Sequence, residues 1–145
     1  MKITSFALGL AMLSVAGPAL AANVDVQLLN TGDKGQMVFQ PDLVRIAPGD
    51  TVTFVPVDKG HNAESIPAMM PAGAQAFKGK ISQPVTATFT VPGVYGIKCT
   101  PHFAMGMVAV VVVGDDLSNL DAVKAAVIPK KPQDKFHEIF EELQK

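Results

Sequence analysis

The sequence predicts an all-β fold, a sandwich with Greek-key connections, followed by two amphipathic helices. Three observations predict it. Short apolar-rich runs recur from Val24 to about Gly114, with turn residues roughly every ten positions. No amphipathic helical pattern interrupts them. Beyond Gly114 the apolar residues are spaced three and four apart, the period of a helix buried on one side.

Taken in order, the first 21 residues stand apart from this domain. Lys2 supplies a positive charge, "FALGLAMLSVAG" is apolar, and "ALA" at 19–21 has the small-x-small pattern that signal peptidases cut. The apolar run is too short, and too near that pattern, to read as a membrane span. We therefore expect a signal peptide over residues 1–21, cleaved after Ala21. Residues 22–145 then form one exported periplasmic domain, long enough to bury a core.

"VDVQLL" (24–29) alternates as a half-buried strand does. "LVRIAPGDTVTFVPV" (43–57) holds two strand-like runs separated by a Pro-Gly-Asp turn, and "VTATFTVPGVYGIKC" (85–99) repeats the device with Pro-Gly. "MVAVVVVG" (107–114) is continuously apolar, as a strand buried on both faces is. Between them, "HNAESIPAMMPAGAQAFKGK" (61–80) lacks alternation and reads as a loop with a helical turn. The tail from about 117 to 145 reads as two helices. In "LSNLDAVKAAVI", Ser118 or Asn119 is placed to cap a helix that carries Leu120, Val123, Ala126 and Val127 along one side. "PKKP" breaks it. "QDKFHEIFEELQK" then sets Phe136, Ile139, Phe140 and Leu143 on one face.

The formal net charge is −1, from 12 basic and 13 acidic residues, and loss of Lys2 makes it −2. That balance carries no nucleic-acid footprint. The single cysteine, Cys99, has no partner within the chain, unusual for a compartment that favours disulfides. It opens "CTPHFAMGM" (99–107), which also holds His102, Met105 and Met107. His61 lies 38 residues earlier, at the end of a strand run, and loops at one end of a sandwich converge. His137, beside Glu138 on the polar flank of the last helix, reads as solvated.

Thiolate and thioether are soft ligands suited to Cu(I), and two imidazoles also accept Cu(II). His61, Cys99, His102 and one methionine therefore match the trigonal His₂Cys set with a weak axial Met of blue-copper electron-transfer sites. One thiol is too few for a structural zinc or iron–sulfur site. A cysteine hydrolase lacks a helix N-terminus to lower the thiol pKa and a third orienting residue. A copper oxidase would need further histidines. A copper-storage or copper-delivery protein is the alternative, though such sites are open and exchangeable.

"DKGHN" (58–62), "CTPHFAMGM", the interval between them and the two tail helices together resemble the pseudoazurins, type 1 copper carriers of the cupredoxin superfamily. The resemblance spans essentially all of residues 22–145. It implies an eight-stranded Greek-key sandwich and one copper held by His61, Cys99, His102 and Met107. Spacing alone leaves Met105 open as the axial ligand; the strand position of Met107 and the resemblance favour Met107. The resemblance further implies that Asn62 locks onto the Cys99 loop and that Met37 packs near His102. It implies transfer to a nitrite reductase of denitrification, copper- or cytochrome cd1-type, from a c-type cytochrome donor. Contact would run through an apolar patch of Pro101, Ala104 and Met105 around His102, ringed by Lys59, Lys78 and Lys98. Thr31 stands where some members carry another lysine. Pro101 also stiffens the loop beside the sulfur. With Lys34 and Lys80 in the β domain and many acids in the tail, a dipole positive near copper is expected. A port-type carrier is expected to be a monomer and not an enzyme.

Overall fold

Two four-stranded sheets face each other in the computed structural model, which describes residue 17 and residues 19–145. The expected leader at 1–21 falls almost entirely outside the described residues. One sheet runs β2-β1-β4-β6, from β1 (Asn23–Gly32), β2 (Gly35–Gln40), β4 (Thr51–Pro56) and β6 (Val85–Thr88). The other runs β3-β8-β7-β5, from β3 (Leu43–Ile46), β8 (Val108–Val113), β7 (Gly93–Lys98) and β5 (Glu64–Ser65). The chain leaves the first sheet after β2, enters the second at β3 and returns at β4. β1 and β4 are thus parallel neighbours, as are β3 and β8, which is the Greek-key sandwich expected.

β8 shows why its sequence is unbroken valine and alanine. All six residues are buried. Ala109, Val111 and Val113 face the core between the sheets, with Val26, Leu28, Phe54 and Ile97; Val108, Val110 and Val112 face the tail helices. A strand covered on both sides has no polar face to alternate with. β7 obeys the same parity: Tyr95, Ile97 and then Cys99 point into the sandwich, whereas Val94 points to the tail. Gly96, on the tail side, is small because a Cβ there would come within 2.8–3.0 Å of the Met69 side chain.

The tail differs from expectation in two places. Helix α1 is only Leu120–Lys124, and Val127 is 99% exposed instead of lying on the buried side. The helix stops at Lys124 with Ala125 as its cap, so Val127 lies beyond its last turn and off the buried side. Asn119 occupies the cap position but its side chain does not cap. It accepts from the Val94 N–H and donates to the Val94 carbonyl, both at 2.9 Å, pinning the tail to β7. Helix α2, Lys130–Leu143, begins inside the Pro-Lys-Lys-Pro stretch; Pro132 sits in its first turn, where a missing N–H costs nothing. Phe136, Ile139, Phe140 and Leu143 are buried against β8, as their spacing predicts. Ion pairs fasten this helix. Buried Asp42 meets Lys34 at 2.8 Å and Lys135 at 3.4 Å, Lys34 also reaches Glu142 at 2.8 Å, and Arg45 donates to the Leu143 carbonyl at 2.7 Å. Among the described residues, no helix is long and apolar enough to cross a membrane.

Candidate metal centre

Two connections at one end of the sandwich bring His61 and Cys99 together. His61 follows Gly60, whose φ of +89° suits glycine and turns the chain inward after β4. The turn is tied down from outside: the Gly60 N–H donates to Ser82 Oγ and the Ser82 N–H to the His61 carbonyl, each at 2.8 Å. Cys99 directly follows β7 and faces the core by continuing its parity. The chain then makes a 3₁₀ segment, Thr100–Met105, and closes through Gly106 at φ +91°. His102 N–H donates to Cys99 O (3.2 Å), Met107 N–H to His102 O (3.2 Å), and Cys99 N–H to Met107 O (3.1 Å). One small ring of backbone hydrogen bonds thereby fixes Cys99, His102 and Met107 relative to one another.

His61, Cys99 and His102 form a cluster among the described residues. His61 Nδ1 and His102 Nδ1 are 3.1 Å apart, and Cys99 Sγ lies 3.7 and 3.6 Å from them. A point equidistant from the three lies about 2.0 Å from each, close to the roughly 2.0–2.3 Å of metal bonds to imidazole nitrogen and thiolate sulfur. The donors present therefore fit a single small cation. Cys99, His61 and Met107 are fully buried, His102 is half-buried, and Met105 is 53% exposed. Met107 shares the inner face with Cys99, whereas Met105 faces solvent.

The protonation states agree. His61 Nε2 is 2.8 Å from Asn30 Oδ1, an acceptor, which keeps the proton on Nε2 and the Nδ1 lone pair toward the cluster. Burial, with the neighbouring His102, holds the His61 imidazole below its ordinary pKa and so neutral. Burial pushes the Cys99 thiol up, against which the backbone N–H groups of Asn62 and His102 pull it down. A thiol raised in this way is a poor hydrolytic nucleophile but becomes a thiolate ligand when a cation shares its pocket.

Asn62 behaves as the sequence led us to expect. Its Oδ1 accepts from the Thr100 N–H at 2.7 Å, and its Nδ2 donates to Thr100 Oγ1 and to the Gly79 carbonyl, both at 3.1 Å. Met37 has a positive φ of 53° and packs half-buried against the same core that holds Cys99 and Met107. His137 is exposed on α2, well apart in sequence and element from the cluster. Asn30 and Ser82 were missed. An asparagine in "LLNTGDKG" and a serine in "GKISQP" both look like ordinary turn residues, and only the fold reveals their partners.

A Greek-key sandwich that gathers two imidazoles and one cysteine sulfur at one end defines a cupredoxin-type copper protein. The family model for copper-binding proteins of the plastocyanin/azurin family matches residues 26–114. A pseudoazurin of Paracoccus pantotrophus is 52% identical over 126 residues, 87% of each chain. Solved pseudoazurins superpose closely: that of Methylobacterium extorquens AM1 with a TM-score of 0.80 at 47% identity, covering 83% of this chain and 98% of the other. That of Hyphomicrobium denitrificans gives 0.75 at 40%, covering 80% and 94%. The chain belongs to the pseudoazurins, copper-binding electron carriers of the cupredoxin class.

Proposed function

We propose that His61 Nδ1, Cys99 Sγ and His102 Nδ1 hold the copper, with Met107 as a weaker fourth ligand, and that electrons pass through the His102 edge. Copper supplies a one-electron couple. The protein supplies rigidity. Asn30 fixes the His61 tautomer, Asn62 ties the two ligand segments together, and the backbone ring from Cys99 to Met107 resists rearrangement when the charge changes. The observation that carries this reading is the triangle of donor atoms, sized for one ion and closed to water on the Cys99 side.

His102 is the one half-buried member of the set, and Pro101, Ala104 and Met105 beside it are exposed. An apolar collar of this kind excludes water from a partner contact and shortens the electron's path. We further propose short-lived contact with acidic redox proteins: a nitrite reductase of denitrification as acceptor and a c-type cytochrome as donor, met by a monomer in the periplasm. Lys59, Lys78 and Lys80 support this: all three are exposed, Lys59 lies two residues before His61, and Lys78 and Lys80 line a surface hollow with Thr100. Lys98 supports it less, since it is only 24% exposed and paired with Glu64. Lys34 is engaged by Asp42 and Glu142. Full burial of Cys99 and Met107 favours a carrier over a storage or delivery protein, whose metal must exchange.

Cu(II) titration with visible absorption tests the proposal. The loaded protein should show an intense thiolate-to-copper band, bleached by reductant and restored on reoxidation, and Cys99→Ser should abolish it. Copper bound without that band would refute the ligand set.

A further inference from the structure

Glu64 is a buried acid that neither the sandwich nor the ligand set accounts for. It lies on β5, three residues after His61, and its register partner on β7 is Lys98, the residue before Cys99. Only 8% of it is exposed. Its Oε1 is 3.1 Å from Lys98 Nζ and its Oε2 is 3.7 Å from Lys78 Nζ. Oε2 is buried without a hydrogen-bond partner among the described residues. Lys98 is held on its other side by the Phe103 ring, 5.2 Å from Nζ to the centroid, and Phe103 belongs to the ligand loop. The β5–β7 pairing itself is made by backbone groups, so an amide or apolar residue would serve the sheet without the desolvation cost of a carboxylate.

We propose that Glu64 is a positioning residue of the electron-transfer site, whose fixed negative charge favours the oxidised state and whose pairing with Lys98 holds that lysine against the ligand loop. The inference rests on the copper reading above. The oxidised site carries one more positive charge than the reduced site, so a nearby anion stabilises it preferentially. Burial spares this interaction much of the screening a surface carboxylate suffers. At an effective dielectric near 20, a single nearby unit charge biases the oxidised-to-reduced ratio by up to about tenfold. Lys98 and Lys78 offset part of that.

The test is a spectroelectrochemical titration of the isolated, copper-loaded protein and two single variants with their double. Glu64→Gln should shift the ratio at fixed poise toward the reduced form by about three- to tenfold, tenfold being about 59 mV for one electron. Lys98→Gln should shift it the opposite way, and the double variant should fall between. Urea unfolding of the metal-free proteins runs alongside. Two single variants that move the ratio in the same direction, or an unmoved ratio with stability lost, would mean a structural pair only and overturn the inference. If Glu64→Gln does not fold, Lys98→Gln decides alone: a ratio unmoved or shifted toward the reduced form refutes it. Loss of the copper reading would be recognised separately, by a wild-type protein without the visible band.

Discussion

Asn62→Ala tests whether one side chain ties the two ligand-bearing segments together. Asn62 is 2% exposed and makes three hydrogen bonds, two to Thr100 and one to Gly79. Alanine removes all three. It strands the Thr100 N–H and the Gly79 carbonyl, while water can reach the Thr100 hydroxyl because Thr100 is exposed. Each lost bond costs about 1 kcal/mol net, and a stranded buried group costs more, so the total should be about 3–4 kcal/mol. Thr100→Ala removes only the hydroxyl bond and should cost about 1 kcal/mol. Urea unfolding of the metal-free protein is the assay, so that copper affinity does not enter. The midpoint should fall with an unchanged slope, because the surface exposed on unfolding is the same. Equal, small losses for the two variants would show that Asn62 is an ordinary turn residue and that the segments meet without it.

Two further outcomes follow from the site and its surroundings. Met107→Gln should lower the reduction potential with copper still bound, since an amide oxygen is a stronger axial donor to Cu(II); Met105→Gln, on an exposed side chain, should leave it nearly unchanged, and the reverse pattern would transfer the axial role to Met105. Electron-transfer rates with an acidic partner should fall as salt rises, and Lys78→Gln should flatten that dependence more than Lys34→Gln, whose ammonium Asp42 and Glu142 already engage. Stopped-flow rates over a salt series measure both; a flat wild-type series would end the steering argument.

What was legible in the sequence follows from where the information is stored. β8 could be read because its unbroken valines report two covered faces, and α2 because four apolar residues keep one helical period. β2 was not read individually: of Gly35–Gln40 only Val38 and Phe39 are buried, and Met37 at positive φ breaks the alternation a strand should show. β5 is two residues long, Glu64 and Ser65, both polar and both buried, which inverts the pattern that identifies a strand. The cluster of His61, Cys99 and His102 was legible because a lone cysteine with a histidine three residues on leaves few chemical options. Its supports were not. Asn30, Ser82 and Glu64 act through partners 14 to 34 residues away, and nothing local distinguishes them from loop residues. Val127 was misplaced because apolar spacing alone extends a helix past its actual end at Lys124.

The loop that carries Cys99, His102 and Met107 does not stand free of the tail. Gly106 faces the first turn of α2, where an added Cβ would touch the Lys131 carbonyl at 3.5 Å, and Phe103 packs into the same cluster as Phe136 and Phe140. A segment that contributes none of the proposed ligands is therefore the footing on which three of them rest. Cutting the chain at residue 114 would bare one whole side of β8 and leave the loop cantilevered. The stiffness that makes single-electron exchange cheap is borrowed from a helix that never touches the exchanging atoms.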